Sequence, residues 1–203
     1  PEGCESGDPE HLADLKEGLQ DAEKNVLATI EVDFLCNKAL IARRLMSHIE
    51  TLNEADALLV SSCGIGVQAV AATVDKQTHP TLDTISMGGF QGLWPGDERC
   101  LECGDCLLHY TGGICPRVAC SKGLVSGQCG GADTDGSCEV DPEIECGWIR
   151  IYERLKEIDR LDLMYEPVEA LDHRNYSGNV KHRSTSWWAL ENPERGHQIE
   201  QEE

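Results

Sequence analysis

Eight cysteines fall between Cys100 and Cys146, in a segment that reads CLECGDCLLHYTGGICPRVACSKGLVSGQCGGADTDGSCEVDPEIEC. They are Cys100, Cys103, Cys106, Cys115, Cys120, Cys129, Cys138 and Cys146, out of 11 in the chain. Gly and Asp fill much of the space between them, and large apolar side chains are too few for an ordinary core. Something other than apolar burial must order this segment: metal or disulfide. Cys100, Cys103 and Cys106 form C-x2-C-x2-C, a spacing that wraps three thiolates around one corner of a cubane cluster. Cys115-Pro116 follows, and a Cys-Pro pair after such a run is how ferredoxins supply a further ligand. The gap before it is eight residues rather than three, so the run is not a plain ferredoxin repeat. Eight thiolates match two 4Fe–4S clusters, and equally two Cys4 zinc sites. The triple C-x2-C-x2-C favours iron–sulfur for at least one of them. A guess at the sharing puts Cys100, Cys103 and Cys106 on one cluster with a distant fourth ligand, and draws the other from Cys115, Cys120, Cys129, Cys138 and Cys146. Disulfides are the third option, and nothing else in the sequence looks secreted.

Composition narrows the function classes. Seventeen Lys and Arg against 37 Asp and Glu leave a formal charge of −20, which argues against nucleic acid and anionic membrane surfaces as partners. No apolar run reaches the length of a membrane-spanning helix, and no signal peptide is visible. Eleven cysteines is an odd number, and with no export signal a reducing cytoplasm is the expected compartment.

The elements that must position these residues begin with alternating helices and strands. Asp8-Pro9 is a helix start, and Leu12, Leu15 and Leu19 line one face of a helix ending near residue 22. Asn25 to Phe34 reads as a buried strand. Ile41, Leu45, Ile49 and Leu52 mark a helix over 37–52. Ala57 to Val60 is a short central-strand pattern, Val67 to Val74 a third helix, and Pro80 to Ile85 a further strand. This order implies a parallel sheet flanked by helices, α/β in class, with a first strand expected upstream. Ligands to such sheets bind past the carboxyl ends of the strands. Cys36 and Cys63 each follow an expected strand and Cys4 precedes the first helix, so all three are expected on that edge. They form a candidate third metal site, for a 4Fe–4S cluster or zinc, with a ligand expected upstream of the sequence. The Gly64-Ile65-Gly66 turn lacks the rest of a dinucleotide fingerprint; its glycines more simply let the backbone pass close to a group at Cys63.

Three domains are expected: 1–96, a Rossmann- or flavodoxin-like α/β unit carrying the Cys4, Cys36 and Cys63 site; 97–160, an irregular ferredoxin-like iron–sulfur region; and 161–203, an extended tail that docks a partner. Within 97–160, Trp148, Ile151, Leu155 and Ile158 lie along a helix over 147–159. Trp94-Pro95 is expected where the first two parts meet, and the Trp187-Trp188 pair as an anchor on this chain or on a partner. His109 is expected beside the clusters without ligating them. No nucleophile–base pair or paired carboxylate stands out, so no catalytic residue is assigned.

The runs Cys100-Leu-Glu-Cys103-Gly-Asp-Cys106, Thr111-Gly-Gly-Ile-Cys115-Pro116, Gly127-Gln-Cys129-Gly-Gly131, Gly136-Ser-Cys138-Glu-Val-Asp-Pro142, Cys146-Gly-Trp148 and Ile151-Tyr-Glu-Arg-Leu155 resemble the iron–sulfur small subunit of the methylene-tetrahydrofolate reductase of acetogenic anaerobes, the methylene-tetrahydrofolate reductase C-terminal-like family. The resemblance is specific over about 97–160 and looser at Cys4-Glu-Ser-Gly7, Cys36 and Ser62-Cys63-Gly-Ile-Gly-Val-Gln68. It implies an electron-transfer subunit of one-carbon metabolism (the Wood–Ljungdahl pathway), carrying clusters and no flavin. Its implied partners are a flavin-bearing catalytic subunit and a low-potential donor such as ferredoxin or a heterodisulfide-reductase-like module. Two other readings stand beside it: a zinc-stabilised scaffold in the same complex, and an independent enzyme using the Cys4, Cys36 and Cys63 site.

Overall fold

The computed structural model describes residues 6–87, 96–172 and 174. Its centre is a helix that is apolar on every side, the kind of sequence that must be covered all round. This is α4 (Gly64–Ala71), and all eight of its residues are buried. Three earlier helices lead to it: α1 (Pro9–Asp21), α2 (Lys38–Met46) and α3 (Ile49–Glu54). Two short strands flank it in sequence, β1 (Ala57–Val60) and β2 (Gln77–Pro80), paired in parallel with Ala57 opposite Gln77 and Val60 opposite Pro80. Ile41 and Leu45 of α2, Val60 of β1, and Val67 and Val70 of α4 close the main core together with Val74 and Leu108.

The remaining elements carry the cysteine-rich half. They are α5 (Pro116–Ala119), β3 (Ser137–Cys138), β4 (Asp141–Glu145), α6 (Gly147–Glu157) and a 3-10 turn at Leu161–Tyr165. A second core gathers Trp148, Ile151 and Leu155 of α6 with Leu163. Arg154 joins the two halves. Its guanidinium donates to the carbonyls of Ala71 at 2.8 Å and Val74 at 2.6 Å, past the end of α4, and its Nε donates to Gly112 O at 3.3 Å. Carbonyls at a helix end lack intrahelical partners, and a cation there also meets the negative end of the helix dipole. Gly113 lies beneath, with φ +87°, where a Cβ would stand 2.1 Å from that of Ala71; only a residue without a side chain allows this approach.

The structure keeps the α/β class and the parallel pairing and corrects three elements. Residues 25–34 form no strand. Leu27 is 43% exposed, while Ile30 and Leu35 pack on the main core. The segment is therefore pinned by separate side chains rather than by a ladder. The helix expected over 37–52 is two helices, interrupted where the Ser47 hydroxyl donates to Arg44 O at 2.7 Å, a bond that competes with the helical pattern. The second strand ends at Pro80 instead of starting there, since proline brings no N–H to a ladder. The helices expected at 8–22 and 147–159 form close to their expected bounds, and Asp8 caps the first by accepting from Glu10 N at 3.3 Å. No helix among the described residues is long and apolar enough to cross a membrane.

Candidate metal centre

Cys100, Cys103, Cys106 and Cys115 line one cavity, with Gly64 at the start of α4 and Arg117 of α5 on its wall. The backbone brings them there through two turns of unusual conformation. Glu102 has φ +54° and Gly104 φ +66°, so the chain coils tightly between the three cysteines. A non-glycine residue in the left-handed region is uncommon and is held by its surroundings. The Glu102 carboxylate accepts from Met87 N at 3.0 Å and its own N–H donates to the Cys100 sulfur at 3.4 Å. The loop is tied to the α/β half by residues 83 and 84. Asp83 Oδ1 accepts from Cys106 N at 2.7 Å, Thr84 O accepts from Gly104 N at 3.0 Å, and Thr84 Oγ1 accepts from Gly64 N at 2.9 Å. Gln68 Nε2 adds a bond to Arg99 O at 2.8 Å. A Cβ on Gly64 would lie 3.0 Å from the Cys100 sulfur, so the glycine admits the thiol to the helix terminus.

The cavity disfavours the charged form of its thiols. Burial pushes the Cys100 thiol up to about 11 and the Cys106 thiol up to about 12, and it raises Cys115 as well. Neighbouring thiols add to this: Cys115, Cys103 and Cys63 all act on Cys100. Backbone amides oppose it. Those of Glu102, Leu108, and Val118 with Arg117 bear on Cys100, Cys106 and Cys115 respectively. Amides aimed at sulfur favour the thiolate, and a bound metal removes the proton outright. The cavity thus brings four thiols together with backbone amides beside three of them.

The second group sits across α5. Cys115 precedes this four-residue helix and Cys120 ends it. Five residues at 1.5 Å rise give a spacing of about 7.5 Å between the two along the helix axis. Cys146 precedes α6, and its N–H donates to Gly136 O at 2.9 Å. Gly147 packs directly on Ala119, where a Cβ would meet the backbone at 2.4 Å, and Cys120 and Cys146 both pack against the second core. Cys138 lies in β3 with its sulfur 3.7 Å from the Ser121 hydroxyl. The Cys129 sulfur is 3.2 Å from Glu139 Oε1, and Glu139 also pairs with Lys122. Gly131 N donates to Cys129 at 3.4 Å. Ser121, next to Cys120 in sequence, thus meets Cys138, and Glu139, next to Cys138, meets Cys129. This neighbourhood lies at the surface: Cys129 is exposed, and backbone amides led by that of Val140 lower the Cys138 thiol.

The structure thus gathers Cys115 with the opening triplet on one cavity, whose lining does not include Cys120, Cys129, Cys138 or Cys146. No disulfide joins the described cysteines. No group of three or more His, Cys, Asp or Glu side chains placed to hold a metal ion is found among the described residues. Of the third candidate site, Cys4 lies outside the described residues. Cys63 follows β1 and precedes α4 as expected, next in sequence to Gly64 of the first thiol cavity. Cys36 follows a coil rather than a strand, one residue beyond Leu35, whose Cβ would be 3.1 Å from a Cβ on Gly66 of α4. Trp94-Pro95 and Trp187-Trp188 also lie outside the described residues. The His109 ring packs on Tyr110 with centroids 3.9 Å apart, and its carbonyl accepts from Gln77 Nε2 at 2.8 Å.

Sequence reasoning missed Arg117, Asp83 and Thr84. Asp83 and Thr84 stood in an expected strand, and their polar side chains instead tie down the cysteine loop. Residues 79–174 match the family model described as Methylene-tetrahydrofolate reductase C terminal. The matched segment starts within β2, spans both thiol sets and reaches Arg174, leaving Cys36 and Cys63 outside it. The match supports a relation to the methylene-tetrahydrofolate reductase family over that segment. No curated protein and no solved structure matches the chain.

Proposed function

We propose that this chain is the electron-transfer iron–sulfur subunit of a methylene-tetrahydrofolate reductase complex. The observation that carries the reading is the convergence of Cys100, Cys103, Cys106 and Cys115 on one cavity, inside the segment matched to that family. In this reading 97–160 is a ferredoxin-like region. The first four cysteines would hold one 4Fe–4S cluster, and Cys120, Cys129, Cys138 and Cys146 would hold a second. Such clusters, when bound, supply one-electron chemistry over a wide span of potential. The chain's own residues do the rest. Amide N–H groups steady the thiolates, Asp83 and Arg117 set the charge beside the first site, and α5 holds the two sites a helix length apart. The partner would be a flavin-bearing subunit that reduces methylene-tetrahydrofolate, with a low-potential donor such as ferredoxin or a heterodisulfide-reductase-like module, in the cytoplasm. A further cluster or zinc at Cys36 and Cys63, with Cys4, belongs to the same proposal.

The test is reduction of the partner's flavin by a one-electron donor, with and without this chain. Reduction that needs the chain, and that is lost with Cys115→Ser, supports the proposal. Flavin reduction at an unchanged rate without the chain contradicts it.

A further inference from the structure

Charge is spread unevenly over this chain. Residues 34–49 hold Lys38, Arg43 and Arg44 and no Asp or Glu, in a sequence of net charge −20. This run contains α2 and leads into α3. α2 turns Ile41 and Leu45 into the main core, and Arg43, Arg44 and Met46 are exposed on it. Met46 is 73% exposed, and Ile49, the first residue of α3, is 48% exposed. Lys38 pairs with Glu98, but among the described residues neither Arg43 nor Arg44 has a carboxylate partner.

Arg and Met are enriched in protein interfaces, and the flexible Met side chain fits uneven surfaces. Two arginines left unpaired in so acidic a chain, beside two exposed apolar side chains, fit a partner whose surface is acidic around an apolar spot. The patch is also tied to the first thiol site. The Lys38–Glu98 pair joins the start of α2 to the residues that enter the Cys100 loop, and Arg43 stands about 7.5 Å further along the helix axis. α2 packs on α4, whose first residue, Gly64, approaches the Cys100 sulfur.

We propose that Arg43, Arg44, Met46 and Ile49 form the docking surface for an acidic one-electron donor protein. The inference rests on the electron-transfer reading above and adds to it the surface and the charge of the donor. An acidic donor is repelled by the chain as a whole, so a local basic patch both holds and orients it. Net and local charge then compete through ionic strength. The Debye length is about 30 Å at 0.01 M and about 8 Å at 0.15 M. Net repulsion therefore dominates at low salt, the patch at moderate salt, and neither at about 1 M.

Binding of a fluorescently labelled, acidic two-cluster bacterial ferredoxin to the full chain, prepared anaerobically and assayed for iron, tests this. Affinity passes through a maximum near about 0.1 M salt. Arg43→Glu with Arg44→Glu lowers it at least about tenfold at that maximum, and Met46→Ser about threefold, in variants of unchanged iron content and melting temperature. Lys16→Glu with Lys24→Glu, an equal change of charge on and just after α1, lowers it less than about twofold. Equal losses in the two charge pairs overturn the inference. So does self-association of the chain that Arg43→Glu with Arg44→Glu abolishes, which assigns the patch to a second copy. An iron-loaded chain that binds no ferredoxin at any salt defeats the docking surface alone, whereas a chain isolated without iron defeats the electron-transfer reading and this inference together.

Discussion

Arg154→Met removes the cation that joins α6 to the end of α4 while keeping most of the stem that covers Gly112. The change deletes donors to Ala71 O at 2.8 Å, Val74 O at 2.6 Å and Gly112 O at 3.3 Å. The side chain is only 11% exposed, so water replaces few of these bonds. Hydrogen bonds from a charged donor contribute about 1.5–3 kcal/mol, and a buried carbonyl left without a donor costs about 1–3 kcal/mol. Counting the two short bonds and treating the third as weak gives a loss of about 3 kcal/mol. For a chain of this size that lowers the melting temperature by about 6–12 °C. Arg154→Lys keeps one charged donor near the same carbonyls and loses about half as much. The assay is thermal unfolding followed by near-ultraviolet circular dichroism, on anaerobically prepared protein of matched iron content, because a bound metal adds its own stability. A loss below about 1 kcal/mol for Arg154→Met, or equal losses for Met and Lys, would refute the reasoning.

Three further outcomes are expected. Gly113→Ala forces a Cβ against Ala71 at φ +87° and loses about 2–4 kcal/mol, whereas Gly130→Ala, at φ +79° with open space around it, loses about 1 kcal/mol; urea unfolding of the two variants distinguishes them. Cys115→Ser and Cys129→Ser each lower the iron content from about eight to about four per chain and remove different paramagnetic signals; loss of the same signal by both would mean that they share a cluster. Asp83→Asn keeps an acceptor for Cys106 N, 2.7 Å away, but removes a negative charge that acts on that cysteine, so the potential of the first cluster rises. Spectroelectrochemistry reads the shift, and an unchanged potential contradicts the placement of Asp83 beside that cluster.

The elements legible in the sequence were those with a strong local signal. Asp8-Pro9 carries its own helix start, and the stripe of Trp148, Ile151 and Leu155 commits α6 to one buried face. The apolar run 57–60 marked β1. The second strand was misplaced because Gln77, Thr78 and His79 are polar; Gln77 and Thr78 are nonetheless buried, their side chains donating to His109 O and Lys76 O. The run at 25–34 was apolar enough for a strand, but no edge of the sheet receives it. The site was legible as a list of thiols and not as a partition. The spacing of Cys115 did not say whether it turns back to Cys100 or forward to Cys120; in the structure it lines one cavity with Cys100, Cys103 and Cys106. Arg154 and Asp83 were invisible for the same reason, since each acts on backbone groups distant in sequence.

Iron, zinc and acid-labile sulfide, measured on the anaerobically isolated chain together with its paramagnetic-resonance spectrum after reduction, test the central claim most directly. The account predicts about eight or more irons with matching sulfide, and the spectrum of reduced 4Fe–4S clusters. Zinc alone, with no sulfide and no such spectrum, would contradict it.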